Sequence, residues 1–324
     1  MTDKIFIILT FDIDNDPVPN LRSPDPKNNP LSWNGIDRGI PEIISAISEC
    51  SSGNTPDIPT TWFVRCDNQL KEIYGDEGYL LDEYRSVWNS LRKMHAEIAW
   101  HAHLYKWKDQ AWIQETDKDM LASNLQRGYK KMVEKKYSPV SARIGESYMS
   151  NGIMSSLDAL GIRIESTAMP GRVRKDEKFS IDWDGTPSVP YYPSKQNYRK
   201  PGHDPLGILE MPMSMIPTQV EYDKTPLMRY VNMGFRHSVI RNGLESFIHN
   251  SRVMVSITHP FEIIPPENAP DQKHPLLSFN IRDFSDNLRY IIAESKKARK
   301  ECIFIRLKDV LEESVYEYIK QDTS

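Results

Sequence analysis

Short apolar runs alternate along this chain with longer stretches whose apolar residues recur at helical spacing. Candidate strands fall at residues 5–12, 60–66, 97–103, 141–145, 162–167, 208–214, 254–259 and 303–307. Helices are predicted at residues 40–50, 79–95, 118–136, 153–160, 228–250 and 279–299, several with one apolar face. Strand and helix in turn is the pattern of a parallel sheet covered by its crossover helices. Seven or eight such strands predict an α/β fold, a TIM-like (β/α) barrel that is complete or slightly short, in a single domain over residues 1–324. Two segments break the rhythm, residues 15–37 and 172–205, both rich in Pro, Asn, Asp and Gly. Insertions of this length in a compact domain usually serve as lids or binding loops. The second carries Trp183, Tyr191 and Tyr192, side chains suited to stacking on sugar faces, although a purely structural loop explains them equally well.

Composition narrows the function classes. A hydrophobic share of 39% and a charged share of 27% belong to a globular chain, and a net charge of −4 supplies no excess of cations for a phosphate backbone. A nucleic-acid partner is therefore not expected. Cys50, Cys66 and Cys302 are an odd, scattered set without CxxC spacing, which argues for three reduced thiols and against a disulfide framework or a zinc ribbon. The first residues lack the features of a signal peptide, and no run reaches the roughly 20 apolar residues of a membrane span. A cytoplasmic location is expected.

Chemistry is concentrated at predicted strand ends. The apolar run 5–9 leads into Thr10-Phe11-Asp12-Ile13-Asp14. Two carboxylates at i, i+2 on a strand point to one side and repel unless a cation sits between them, so a divalent metal is a natural counterion. Turn-capping by Asp is the competing explanation. The run 97–100 ends on His101-Ala102-His103, whose imidazoles share a face and suit zinc or a related ion. A third run, 255–258, ends on His259. Barrel enzymes gather catalytic groups from the C-terminal ends of several strands, and three strands ending in Asp or His fit that rule. Arg143, at the end of a fourth, could hold a nearby carboxylate ionised.

In order and content these stretches resemble the motifs of the NodB-like polysaccharide deacetylases (carbohydrate esterase 4-like), over roughly residues 5–263. The resemblance implies a distorted barrel and a metal-dependent hydrolase that removes an N-acyl group from an amino sugar. It implies Asp12 as general base, Asp14 as a metal ligand, His101 with His103 as metal histidines, Arg143 as the tether of the base and His259 as general acid. Leu209-Glu210-Met211-Pro212 stands where the family places its fourth motif. Three departures mark a divergent relative: Tyr105 stands where the family's second histidine usually falls, Glu146 sits near a position usually held by Pro, and Glu210 with Met211 replaces an aromatic wall. Glu146 and Glu210, with Trp183, Tyr191 and Tyr192, are the expected substrate contacts. Zn²⁺ is the expected ion, and a small N-acylated sugar, such as a surface-glycan precursor, is the expected partner. Hydrolysis of another linear amide on the same barrel, and a metal-holding sugar-binding relative without hydrolysis, are the alternatives; the amidohydrolase and polymerase-and-histidinol-phosphatase barrels, which also bind metal through H-x-H, are a further rival.

Overall fold

The computed structural model describes residues 3–16, 31–51, 58–177, 179–267 and 273–322. Eight strands form one sheet: β1 (Asp3–Ile13), β2 (Thr60–Arg65), β3 (Glu97–Ala102), β4 (Ser141–Ile144), β5 (Ile164–Glu165), β6 (Leu209–Glu210), β7 (Val253–Thr258) and β8 (Lys300–Phe304). Their hydrogen-bonded order is β6-β5-β4-β3-β2-β1-β7, with β8 also paired to β1. The pairs β1·β7, β1·β8, β3·β4, β4·β5 and β5·β6 are parallel. This is the expected α/β architecture, and each strand overlaps a predicted apolar run, although β8 begins three residues before its predicted run of 303–307 and ends at Phe304.

The chain divides into two compact units, Met1–Pro17 with Ser32–Thr61 and Met213–Ser324, and Val18–Leu31 with Trp62–Pro212. In the first, β1 is flanked on both edges, for Phe6 stands opposite both Val253 and Ile303. A strand paired on both sides and covered on both faces has no solvent-facing position, so its sequence reads as an uninterrupted apolar run rather than an alternation. Ile5, Ile7, Ile8 and Leu9 are accordingly fully buried, each stabilising the fold by about 1.5–3 kcal/mol relative to exposure. Helices α1 (Ile40–Ser51), α7 (His237–Asn250) and α8 (Ile281–Lys297) pack together in this unit. Helix α8 buries Phe284, Leu288 and Ile291 on one face, starts at Asn280, whose side chain accepts the Arg282 N–H, and ends with Lys296 and Lys297 favourably placed at its negative pole.

Among the described residues, the second unit carries β3 to β6 and five helices: α2 (Asn68–Tyr74), α3 (Tyr79–Glu83), α4 (Arg85–Lys93), α5 (Lys118–Glu134) and α6 (Asn151–Ala159). Side-chain caps begin three of them. Asp67 accepts from Leu70 N–H, Asp117 from Asp119 and Met120, and Ser150 from Ile153.

Local pattern misled in three places. The helix predicted at 228–250 starts only at His237, because Leu227–Tyr230 pairs antiparallel with Met215–Thr218. Apolar residues at 227, 228, 230, 231 and 233 fit either period, and the partner strand decides between them. The helix predicted at 79–95 is two helices meeting at Tyr84 (φ −105°, ψ 26°). Segment 172–205 is built of two hairpins, Val173–Lys175 with Ser180–Asp182 and Pro193–Ser194 with Asn197–Pro201. Of segment 15–37, residues 17–30 lie outside the described residues, while Gly35–Gly39 forms a π-helical turn. Cys50, Cys66 and Cys302 are free thiols. Among the described residues no helix is long and apolar enough to cross a membrane.

Candidate active site

In the first unit, β1 delivers Asp12 buried (5% exposed) and leaves Asp14, just past its end, half-buried. His259 directly follows β7, and its Nε2 stands 3.5 Å from Asp14 Oδ2. The other ring nitrogen, Nδ1, lies 3.2 Å from Glu262 Oε1. Glu262 is itself fixed, since its Oε2 accepts the His259 backbone N–H (2.8 Å) and the Asn232 amide (2.8 Å). Burial alone would depress the His259 pKa, but the charge of Glu262 and hydrogen bonds to Asp14 and Glu262 outweigh it and hold the imidazole well above its ordinary range. The ring therefore lies between two carboxylates, Glu262 on its Nδ1 side and Asp14 on its Nε2 side, and the raised pKa favours the protonated form.

In the second unit, His101 and His103 are both buried, at 1% and 6% exposure. His101 Nδ1 lies 2.8 Å from the Arg143 carbonyl oxygen, which can only accept, so Nδ1 carries the proton and Nε2 keeps its lone pair. That lone pair faces His103 Nε2 at 3.1 Å. Two nitrogens held about 2.0–2.1 Å from a tetrahedral zinc stand roughly 3.3 Å apart, so the spacing found is close to what one ion would impose. Metal-bound histidines characteristically donate their second ring N–H to a carbonyl or carboxylate, as His101 does here. A Cβ on Gly145 would overlap the His103 ring, standing 2.7 Å from Cγ, so this position must be glycine for the imidazole to lie where it does.

A layer of buried partners supports the pair. The His103 backbone N–H donates to Asp67 Oδ2 (3.2 Å), and Arg65 grips Asp67 through Nε (2.8 Å) and Nη2 (3.0 Å). Burial would raise the Asp67 pKa, but the guanidinium's charge and hydrogen bonds hold it below the usual value. Arg143 is 1% exposed, donates from Nε to the Ser166 carbonyl (2.7 Å) and from Nη2 to Ser166 Oγ (3.0 Å), and lies 4.2 Å over the Phe63 ring. Tyr105 packs edge-on against His103, and its hydroxyl donates to Glu146 Oε1 (2.9 Å). Glu146 (φ 56°) and Ser147 (φ 53°) both sit in the left-handed region, a conformation that costs about 1–3 kcal/mol per non-glycine residue.

Among the described residues, Asp14 of the first unit and His101 with His103 of the second are the candidate ligand set for a divalent cation. The described residues hold no other such group of His, Cys, Asp and Glu. The aromatic residues of segment 172–205 are placed differently. Trp183 is fully buried with its indole N–H bonded to the Ser147 carbonyl, and Tyr191 is buried with its hydroxyl donating to the Tyr198 carbonyl, so neither presents an open face to a sugar. Tyr192 is half-buried. Glu210 is fully buried beside Glu165, its register partner, and its Oε1 accepts the Ala168 N–H. Sequence reasoning missed Glu262, Asn232, Asp67 and Arg65. Only Asp67 carried a local signal, as an Asp between a strand and a helix in capping position.

Comparison with protein-family models and with curated proteins finds no match. Among solved structures, a protein provisionally described as a polysaccharide deacetylase from Mycobacterium smegmatis superposes with a TM-score of 0.53 at 17% identity, over 99% of this chain and 92% of that one. The chain has the polysaccharide-deacetylase fold. Other matches are a CE4 family pseudoenzyme from Bacillus anthracis (TM-score 0.45, 9% identity, 97% of this chain and 67% of that one) and a family 4 carbohydrate esterase from Streptomyces lividans (TM-score 0.38, 10% identity, 89% and 90%). At 17% identity, the likeness to the Mycobacterium smegmatis protein establishes the fold alone.

Proposed function

We propose that the protein is a metal-dependent hydrolase that removes an N-acyl group from an amino sugar. The observation that carries this reading is the His101–His103 pair, two buried imidazoles with Nε2 atoms 3.1 Å apart and the His101 tautomer set by the Arg143 carbonyl. Such donors suit a borderline-soft divalent cation, and Zn²⁺ fits imidazole and carboxylate ligation. Asp14, His101 and His103 would hold it. Bound there, the ion supplies Lewis-acid polarisation of the acyl oxygen and acidifies water.

The remaining steps fall to the chain's own groups. Asp12, with Arg143 as its proposed counter-cation, takes the proton from the attacking water. His259, whose raised pKa favours the protonated form, delivers a proton from Nε2 to the nitrogen of the departing amine as the carbon–nitrogen bond breaks. Glu262 keeps the ring oriented while it does so. The water supplies the hydroxyl of the released carboxylic acid, and the amine leaves neutral. Glu146, anchored by the Tyr105 hydroxyl next to His103, is placed to accept hydrogen bonds from sugar hydroxyls, and a small N-acetyl sugar that serves as a glycan precursor is the proposed substrate.

Zinc analysis of the purified full chain, combined with acetate release from a panel of N-acetyl sugars, tests this reading. One equivalent of zinc with product from at least one sugar is expected, and zinc without product from any acyl substrate would leave a sugar-binding protein instead. Asp12→Asn and His259→Ala should each lower turnover by about 10²- to 10⁴-fold, the usual worth of one proton transfer. Full turnover in either variant would remove that residue's role.

A further inference from the structure

The π-helical turn Gly35–Gly39 packs directly against the loop that carries His259. A Cβ on Gly39 would overlap the Pro260 carbonyl oxygen and stand 2.8 Å from its carbon, and a Cβ on Gly35 would stand 2.8 Å from the Phe261 backbone nitrogen. Both collisions are with backbone, which yields only if the loop itself moves. His259 is continuous with this loop, and its ring stacks on Phe261 at 5.2 Å between centroids.

The other end of the turn is tied to the strand end that carries Asp14. Two residues on, Asp16 Oδ2 accepts the Ser32 hydroxyl (2.6 Å) and the Asn34 N–H (3.0 Å), while Oδ1 accepts the Gly35 N–H (3.1 Å). The Asp16 N–H in turn donates to the Ser32 carbonyl (2.9 Å). Single-turn π-helices are uncommon and concentrate at functional sites, because the wider turn moves a stretch of backbone out of α register. Here the extra width brings Gly35 and Gly39 against successive residues of the His259 loop. Contacts therefore close a ring within one unit: Asp14 to His259, His259 through Pro260 and Phe261 to the turn, and the turn through Asp16 back to Asp14.

We propose that this turn is the positioning element for His259, with Gly35, Gly39 and Asp16 as positioning residues that set the reach of the acid toward the site. None of the three touches substrate. The idea rests on the reading of His259 as the proton donor, and its test separates the two. Crystal structures of the full chain carrying Gly39→Ala or Asp16→Ala should show His259 Nε2 moved by about 1 Å or more from its 3.5 Å separation to Asp14 Oδ2, while the His101–His103 pair stays at 3.1 Å. An unchanged His259–Asp14 distance in both variants would overturn the proposal. Where Gly39→Ala does not fold, Asp16→Ala alone decides, and Asp16→Asn, which keeps one acceptor oxygen, should restore part of the geometry.

Kinetics give a second, independent arm. With the N-acetyl sugar of the panel that the wild-type chain turns over, Gly39→Ala and Asp16→Ala should lower kcat by about 10- to 100-fold at little change in KM, the effect of a misplaced catalytic group. With p-nitrophenyl acetate, whose leaving group needs no proton, the loss should shrink to less than about threefold. Equal losses on both substrates would mark a merely structural role. His259→Ala tests the underlying reading separately: if that variant keeps full turnover the assignment of the acid fails, whereas if it alone is impaired, the acid stands and the turn has no positioning role.

Discussion

The end of β3 and the paired ends of β5 and β6 each bury two ionisable side chains, and they bury them in opposite ways. At the first, His101 and His103 turn the unprotonated edge of at least one ring toward the other, and the backbone has taken up the remaining N–H. At the second, Glu165 and Glu210 are fully buried register partners, and the chain closes over them with the Thr167 and Ala168 N–H groups. Burial, followed by the charge of Glu165, accordingly lifts Glu210 well above the usual carboxylate range. In the first pair the two imidazoles present ring nitrogens to each other, while in the second burial pushes the Glu210 carboxyl toward its neutral form. Burial of charge by itself therefore does not mark a site; which lone pairs the backbone leaves unclaimed does.

That contrast can be broken by experiment. The largest effect is expected from His101→Ala, which should lose stoichiometric zinc at micromolar concentrations, a fall beyond the roughly 10- to 100-fold typical of outer partners. Zinc retained with unchanged affinity in a competitive chelator titration would mean that the imidazole pair is structural.

Next comes the support beneath the pair. Arg65 and Asp67 are both essentially inaccessible, so Arg65→Met leaves a buried carboxylate uncompensated and should cost about 3–5 kcal/mol in urea unfolding. The Asp67 pKa is held below its ordinary value of 3.8 in the folded chain, so the stability it contributes is complete above that value and is lost as the pH falls through the depressed one. The Arg65→Met penalty should therefore shrink in acid below 3.8, and a penalty independent of pH would mean that charge is not its source.

The smallest effect belongs to the carboxyl pair. Glu210 has a raised folded pKa, so its contribution is fully present below the ordinary value of 4.5 and is lost as the pH rises toward the elevated one. Glu210→Gln keeps an acceptor for the Ala168 N–H without a proton to lose, and at neutral pH should be stabilising or within about 1 kcal/mol of wild type. The advantage should fade as the pH drops below 4.5. Destabilisation by more than about 2 kcal/mol at neutral pH would show an ionised, paired Glu210 and erase the contrast between the two regions.

Legibility in the sequence followed the range of the interactions concerned. Strands such as β1 and β7 were readable because a doubly covered parallel strand must be apolar at every position, and their ends were readable because Asp12, Asp14 and His259 break that rule. Leu227–Tyr230 was not, since its period suits helix or strand and only Met215–Thr218 decides. Trp183 and Tyr191 read as open stacking surfaces, yet Ser147 and Tyr198 carbonyls claim their polar atoms and draw the rings inside. Glu262 and Asn232 look like ordinary polar residues, and they orient His259 only because the chain turns back at Pro260.

The order of elements, the apolar core and the identities of the chemical groups at the strand ends were determined by the sequence alone, because periodicity and burial depend on neighbours a few residues away. The tautomer of His101, the raised pKa values of His259 and Glu210 and the seating of the π-turn were decided by the tertiary structure. Each depends on a partner brought within hydrogen-bonding or packing distance from elsewhere in the fold, and dipoles and charges act on protonation only at that range.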